Sequence, residues 1–321
     1  MKSSTALGAF AVDYISYDLS RIVSYYQAEI YITYKRSEHQ LSALERVGTL
    51  TGMRARLEEA MRAGETYLVL ELTAASAAPS AVTESLVRAY YADPLTCPVL
   101  PGSEAVLYPE SGVDRILEIT LDYGMDGESL SQRREELAAA LETMTAACGQ
   151  PVPTDEEAES EEAEAESEPE EAWTPEPAEL MEALCAYLAE NCVPEETAGS
   201  TAWDALVEKT ASSEGMAMAF EAGCQALGLT CQLVSGRRDG EPHAWNIVTI
   251  GEASYHVDVS TWGEGEEDVF LLGDEDIWGD YWWDTSEYPV CSRRYGASEE
   301  PTGEPASDEP LASAEAAAGE N

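Results

Sequence analysis

The chain has 321 residues, enough for two domains of ordinary size, and 44% of them are hydrophobic, so real cores are available. Its charge is the outlier, with 63 acidic against 17 basic residues and a formal net charge of −46. That field repels phosphate backbones and anionic headgroups, which excludes nucleic acid and electrostatic membrane docking and favours cationic partners.

Two tracts concentrate the acidity: residues 155–171 hold eleven acids and residues 296–321 hold seven, with no base in either. Setting both aside still leaves 45 acids against 17 bases, so the folded parts are acidic too. No stretch reaches the ~18–20 apolar residues that span a bilayer. Residues 1–17 read as an N-terminal leader, with Lys2 as a single early charge but Asp13 following soon after and no apolar core of a signal peptide.

A mixed α/β domain is expected over 18–153. Residues 28–34 alternate β-branched and aromatic side chains and predict a strand. Leu41, Leu44, Val47, Leu50, Met53, Leu57 and Met61 recur at helical spacing and predict one amphipathic helix stopped by Gly64. Further strands are expected at 67–72 and 115–123, and helices at 80–91 and 128–147. No cluster in this region looks catalytic, and its one histidine, His39, stands among polar residues.

Residues 154–177 are nearly all Glu, Ala, Ser and Pro, which predicts a disordered acidic linker, and 296–321 predicts a tail of the same kind. A second domain over 178–295 opens with a helix at 178–191. A loop, a segment at 201–207 and a helix at 216–227 follow, then strands at 230–235, 244–250 and 255–259. The seven cysteines, Cys97, Cys148, Cys185, Cys192, Cys224, Cys231 and Cys291, form no CxxC pair, so neither a zinc ribbon nor a dense disulfide framework is expected. No metal or other cofactor is expected.

Three segments of this second domain belong together: Ser213-Glu214-Gly215 at a helix start, His243-Ala244-Trp245-Asn246 on a strand, and Tyr255-His256-Val257-Asp258 on the next. A nucleophile at a helix N-terminus faces free backbone N–H groups and the positive end of the dipole. A strand histidine can take its proton, and a carboxylate on the neighbouring strand can orient the imidazole. The turn at Gly251 brings His243 and Asp258, fifteen positions apart, side by side.

These segments resemble the three motifs of the bacterial transglutaminase-like superfamily, which usually read Cys-Glu-Gly-Tyr-Ala, His-Ala-Trp-Asn and Trp-Tyr-His-Val-Asp-Val-Thr. The resemblance covers about 118 residues. It implies an α+β, papain-like fold for the second domain and a triad of positions at Ser213, His243 and Asp258. It also puts serine where the nucleophilic cysteine is expected, since no cysteine occurs between Cys192 and Cys224.

A thiol forms a thiolate beside an imidazolium at modest cost, whereas a hydroxyl must lose its proton during attack. The expectation is therefore a pseudoenzyme whose cleft binds a peptide, a glycan or a cell-envelope partner, basic for preference. Trp245, Asn246, Trp282 and Trp283 are candidate binding residues, although the tryptophans also suit core packing. The competing expectation is an amide or ester hydrolase, or an acyltransferase, using Ser213, His243 and Asp258. The resemblance, to proteins often secreted or anchored in bacteria, implies an extracellular or cell-surface location.

Overall fold

A computed structural model describes residues 5–73, 78–95, 98–149, 176–263, 265 and 268–297. The linker expected at 154–177 lies outside these residues except for Glu176 and Pro177. The tail expected at 296–321 lies outside them beyond Ala297. The chain is α+β.

The first half begins with α1 (Ala6–Ala11), capped by the Thr5 hydroxyl on Gly8 N, and runs into β1 (Val12–Ile22) and β2 (Tyr25–Tyr34). These two strands pair antiparallel with each other and, among the described residues, with no other strand. The expected leader is corrected here, because the boundary at residue 17 falls inside β1. Ile15, Tyr17 and Leu19 alternate with polar residues at the period of a strand.

The long helix expected from Leu41 to Met61 is also corrected. It divides into α2 (Glu38–Ser42), β3 (Leu44–Val47) and α3 (Leu50–Ala63). Gly48 breaks the periodicity, and Thr49 caps α3 through Gly52 N. Gly64, at φ +70°, ends α3 in the left-handed conformation that glycine adopts without strain.

Next come β4 (Tyr67–Leu72), α4 (Pro79–Tyr90, with proline in its first turn), β5 (Gly102–Tyr108), β6 (Arg115–Asp122) and α5 (Gly127–Cys148). The sheet order is β3-β4-β6-β5, with β3 parallel to β4 and the other pairs antiparallel. Strand β5 has no counterpart among the sequence expectations.

The second half holds α6 (Pro177–Asn191), β7 (Val193–Pro194), a π-helical turn over Asp204–Glu208, β8 (Thr210–Ala211) and α7 (Ser213–Ala226). Then follow β9 (Thr230–Arg238), β10 (Glu241–Ile250), β11 (Ala253–Asp258), β12 (Val269–Leu272), α8 (Asp274–Ile277) and β13 (Tyr281–Trp282). These strands make one antiparallel sheet in the order β12-β11-β10-β9-β13. Period-2 alternation along β10 sends Ala244 and Val248 into the core shared with α7, and Trp245 and Ile247 into a second core on the opposite face with Trp283.

The halves share a core. Helix α5 belongs to the first half by chain order, yet its Met144 and the Leu184 of α6 both crowd Gly223 on α7. A β-carbon at 223 would lie 2.7 Å from Leu184 Cδ2 and 2.8 Å from Met144 Cε, so glycine permits three helices to meet at that point. Among the described residues, no helix is long and apolar enough to cross a membrane.

Candidate functional site

Ser213 is the first residue of α7. Its neighbour Ser212 is the N-cap, accepting from Gly215 N, so the free N–H groups of the first turn surround position 213. Gly215 is glycine for want of space: a β-carbon there would lie 2.8 Å from Ala211 Cβ and 3.0 Å from the carbonyl oxygens of Gly199 and Thr201. This close approach fixes the start of α7 against the preceding loop. The Ser213 hydroxyl accepts a hydrogen bond from Ala244 N at 3.3 Å, which sets it against β10 one residue past His243. Among the described residues that backbone N–H, not the His243 ring, is its hydrogen-bond partner.

His243 and Asp258 are joined directly, Nε2 to Oδ2, at 2.7 Å. The carboxylate is almost fully buried and receives three further donors: Tyr281 Oη at 2.7 Å, Ser260 N at 3.0 Å and Ser260 Oγ at 2.6 Å. Burial alone would raise its pKa. The His243 pair, with help from Ser260 and Tyr281, outweighs burial and holds the carboxyl below its usual range. An ionised Asp258 accepts from Nε2–H, which leaves Nδ1 of a neutral His243 with its lone pair free. Burial and the adjacent Asp258 push the Tyr281 phenol far up, so it stays a donor.

A second histidine–aspartate pair lies on the same face of the sheet, beyond Trp245. His256 is fully buried; its Nδ1 accepts from Trp245 Nε1 at 3.0 Å and its Nε2 meets Asp274 Oδ1 at 2.8 Å. Indole N–H can only donate, so the single proton of the neutral imidazole sits on Nε2, pointing at Asp274. Burial holds the His256 pKa below its ordinary value against the pull of Asp274.

Potential metal-ligand atoms of His256, Asp274 and Cys291 lie within 4.8 Å of one another. The tautomer removes the lone pair that a metal would need from Nε2, and burial, then Asp274, pushes the Cys291 thiol up to about 12, far from thiolate. The trio is a hydrogen-bonded brace: Asp274 also accepts from Cys291 N at 3.2 Å and donates its own N–H to Cys291 O at 2.7 Å.

Of the residues expected to bind ligand, Trp245 is fully buried between the two pairs, stacked toward His243 and edge-on to Tyr281 and Trp283. Trp283 is buried against Trp245 and His256. Asn246 is buried and ties β10 to α7 through Nδ2 on Ala217 O. All three are buried in packing, Trp245 and Asn246 on β10, which is covered on both faces, and Trp283 in the second core. Trp282 alone offers its ring to solvent, 64% exposed on β13, where it pairs with Arg237 of β9.

Gly236 faces His243 across the ladder. A β-carbon there would meet Trp282 O at 2.3 Å and the Trp245 ring at 2.6 Å, so glycine is what lets β13 close over the site.

Tyr281 and Asp274 are site residues that the spacing of the three motifs does not mark, and they come from farther along the chain, whereas Ser260 stands two residues after Asp258 and reaches it by a local turn. The first half also touches the site, since Tyr91 donates to Glu214, the neighbour of Ser213, and Arg88 pairs with Glu287.

No protein-family model and no curated protein matches the chain. Two solved structures are similar to it at low levels. One, described as a TGase, is 13% identical, covers 74% of this chain and 62% of its own, and superposes with a TM-score of 0.31. The other, a proposed cysteine protease from Cytophaga hutchinsonii, is 11% identical, covers 50% of this chain and 62% of its own, and gives a TM-score of 0.28. The chain thus spans 62% of the length of either.

Proposed function

We propose that the second half of the chain is a transglutaminase-like binding module whose cleft has lost acyl-transfer chemistry, with Ser213 in the place of the nucleophilic cysteine. The observation that carries this reading is the hydrogen bond from Ala244 N to Ser213 Oγ. A hydroxyl needs a base to take its proton as it attacks. A backbone N–H donated to its oxygen lowers its nucleophilicity and supplies no base.

The ligand we propose is a basic peptide, with a glycan as the neutral counterpart. Asp280 and Asp284 flank the exposed Trp282 in the chain, and Asp239, just after β9, donates its backbone N–H to Asp280 O, while Arg237 pairs with Trp282 across the ladder. An aromatic ring beside acidic residues suits cationic side chains. The extracellular or cell-surface location rests on the family resemblance alone.

A second reading, a hydrolase or acyltransferase built on Ser213, His243 and Asp258, is favoured by the intact bracing of the histidine. Four hydrogen bonds converge on Asp258, and among the described residues Nδ1 of His243 has no hydrogen-bond partner. Two measurements separate the readings. Incubation with a serine-directed fluorophosphonate, followed by mass spectrometry, should leave Ser213 unmodified. An adduct at Ser213 that disappears in His243→Ala would replace the binding reading with the hydrolase. Calorimetric titration with a lysine-rich peptide should give binding that weakens with salt and with Trp282→Ala. Equal affinity for an acidic peptide would count against the proposed ligand.

A further inference from the structure

The β1–β2 hairpin stands apart from every core of the molecule. None of its residues joins a hydrophobic cluster, and β2 is solvent-exposed along all ten residues. An isolated two-stranded ribbon in water is marginal at best.

The pairing register shows what the ribbon carries. Ile15 faces Ile32, Tyr17 faces Ile30, Leu19 faces Ala28, and Arg21 faces Tyr26. Because side chains alternate, these share one face. Ser16 with Tyr31, Asp18 with Glu29, and Ser20 with Gln27 make the polar middle of the other, whose ends are Tyr14 with Thr33 and Ile22 with Tyr25. The hydrogen bonds from Gln27 and Tyr31 to Glu29 lie on that polar face, as the register requires. The hairpin therefore has the binary pattern of a strand pair that covers a core, with the core side open to water.

We propose that this apolar face is a dimerisation surface whose occupant is the same face of a second copy of the chain. Charge and area point to that occupant. In a chain of net charge −46, the face has one charged residue, Arg21, so two copies can meet there while their acidic bodies stay apart. Strands of eleven and ten residues extend about 34 Å, several times the ~8 Å screening length in physiological salt. The hairpin root is held to the body by Lys35 N on Ala11 O and by Arg36 on Tyr108 and Glu118, which fixes its direction.

Tyr17, Leu19, Tyr26, Ile30 and Ile32 are each 44 to 71% exposed. Covering them removes roughly 500 Å² per copy, about 1,000 Å² in all, which is near the lower bound of a specific interface. The dimer is accordingly weak and reversible. Because repulsion between acidic bodies opposes it, added salt strengthens it, the reverse of a complex with a cationic partner.

The test is sedimentation velocity of the full chain across a wide concentration range, at 0.05 and 0.5 M salt. The expected result is a monomer–dimer equilibrium that shifts toward dimer in high salt. A double variant, Tyr17→Glu with Ile30→Glu, should raise the dissociation constant by ~100-fold or more, since charges would be buried at the centre of the face. Ser20→Glu, on the polar face, should leave the constant within a few-fold of the parent. Near-UV circular dichroism of each variant checks that the body is folded, as the hairpin contributes to no core. A chain that is monomeric at every concentration and salt would overturn the proposal, as would a dimer indifferent to the double substitution.

Discussion

Two histidine–aspartate pairs share one face of the second sheet, separated by the Trp245 ring, and they differ in a single nitrogen. At His256 both ring nitrogens are occupied, one by Trp245 and the other by Asp274. At His243 only Nε2 is occupied, by Asp258. Both histidines stand in tryptophan-rich surroundings with a carboxylate in contact, so proximity to an acid does not distinguish a functional histidine from a structural one. The accounting of donors and acceptors does. A saturated imidazole is a structural cross-brace, and one with a free lone pair can exchange a proton or accept from a ligand.

The largest expected effect separates the pairs by stability. His256→Ala strands the Trp245 indole N–H, takes one of its donors from the Asp274 carboxylate and removes the ring packed at 4.9 Å from Trp283. Urea unfolding should show a loss of about 3–4 kcal/mol, the range for breaking a buried network and leaving a cavity. His243→Ala leaves Asp258 with three of its four donors and should cost no more than about 1.5 kcal/mol. Equal losses in the two variants would erase the distinction.

Acid sensitivity sharpens the same contrast. The folded pKa of His256 lies below its ordinary value of 6.5. Above that pH both folded and unfolded states are neutral there, and the full stability is present. As pH falls below 6.5 the unfolded chain takes a proton that the folded one resists, so stability declines, by at most ~1.4 kcal/mol per pH unit. Buried Glu221, its carboxyl pushed up to about 8, contributes the opposite slope between pH 4.5 and 7.5 in both the parent and His256→Gln. Unfolding free energies measured over that window should therefore show a difference: the parent loses more stability toward acid than His256→Gln. Asp258, whose pKa is lowered, adds its own loss only as pH falls below its ordinary 3.8, outside that window.

The His243–Asp258 pair was legible in the sequence, and the His256–Asp274 pair was not. His243 and Asp258 stand in motifs whose spacing requires only an antiparallel turn at Gly251, and helix α7 and strands β9 to β11 lie within a few residues of the sequence expectation. The partners that decide each histidine's role come from farther along the chain. Tyr281 and Asp274 arrive through β13 and the first residue of α8, where local pattern says nothing of long-range pairing. Trp245 and Trp283 suited either a binding ring or a core ring, and only the sheet's two-sided burial chose. In the first half, apolar spacing at 41–61 mimicked one helix while Gly48 and a short parallel strand divided it. Strand β1 was hidden because its alternation was set aside with the N-terminus.

A smaller effect tests the proposed loss of acyl-transfer chemistry. Ser213→Cys places a thiol at the first residue of α7, next to the β10 backbone that carries His243. With the other cysteines changed to serine, iodoacetamide alkylation against pH should report a thiol pKa on the order of 2 units below the free value of ~8.5. Adding His243→Ala should move it back up. A thiol at 213 that titrates like a free cysteine would mean that the helix start and the histidine no longer act on that position.

The difference between the two histidines can be read directly. The chain has only three, His39, His243 and His256, so long-range ¹⁵N–¹H spectra of histidine-labelled protein resolve each ring. The account predicts that His256 holds its proton on Nε2 with Nδ1 hydrogen-bonded, and stays neutral as pH falls below 6.5. It predicts that neutral His243 also carries its proton on Nε2, with Nδ1 responding to Ser213→Cys. A His256 that protonates freely at pH 6.5, or a neutral His243 with its proton on Nδ1, would contradict it.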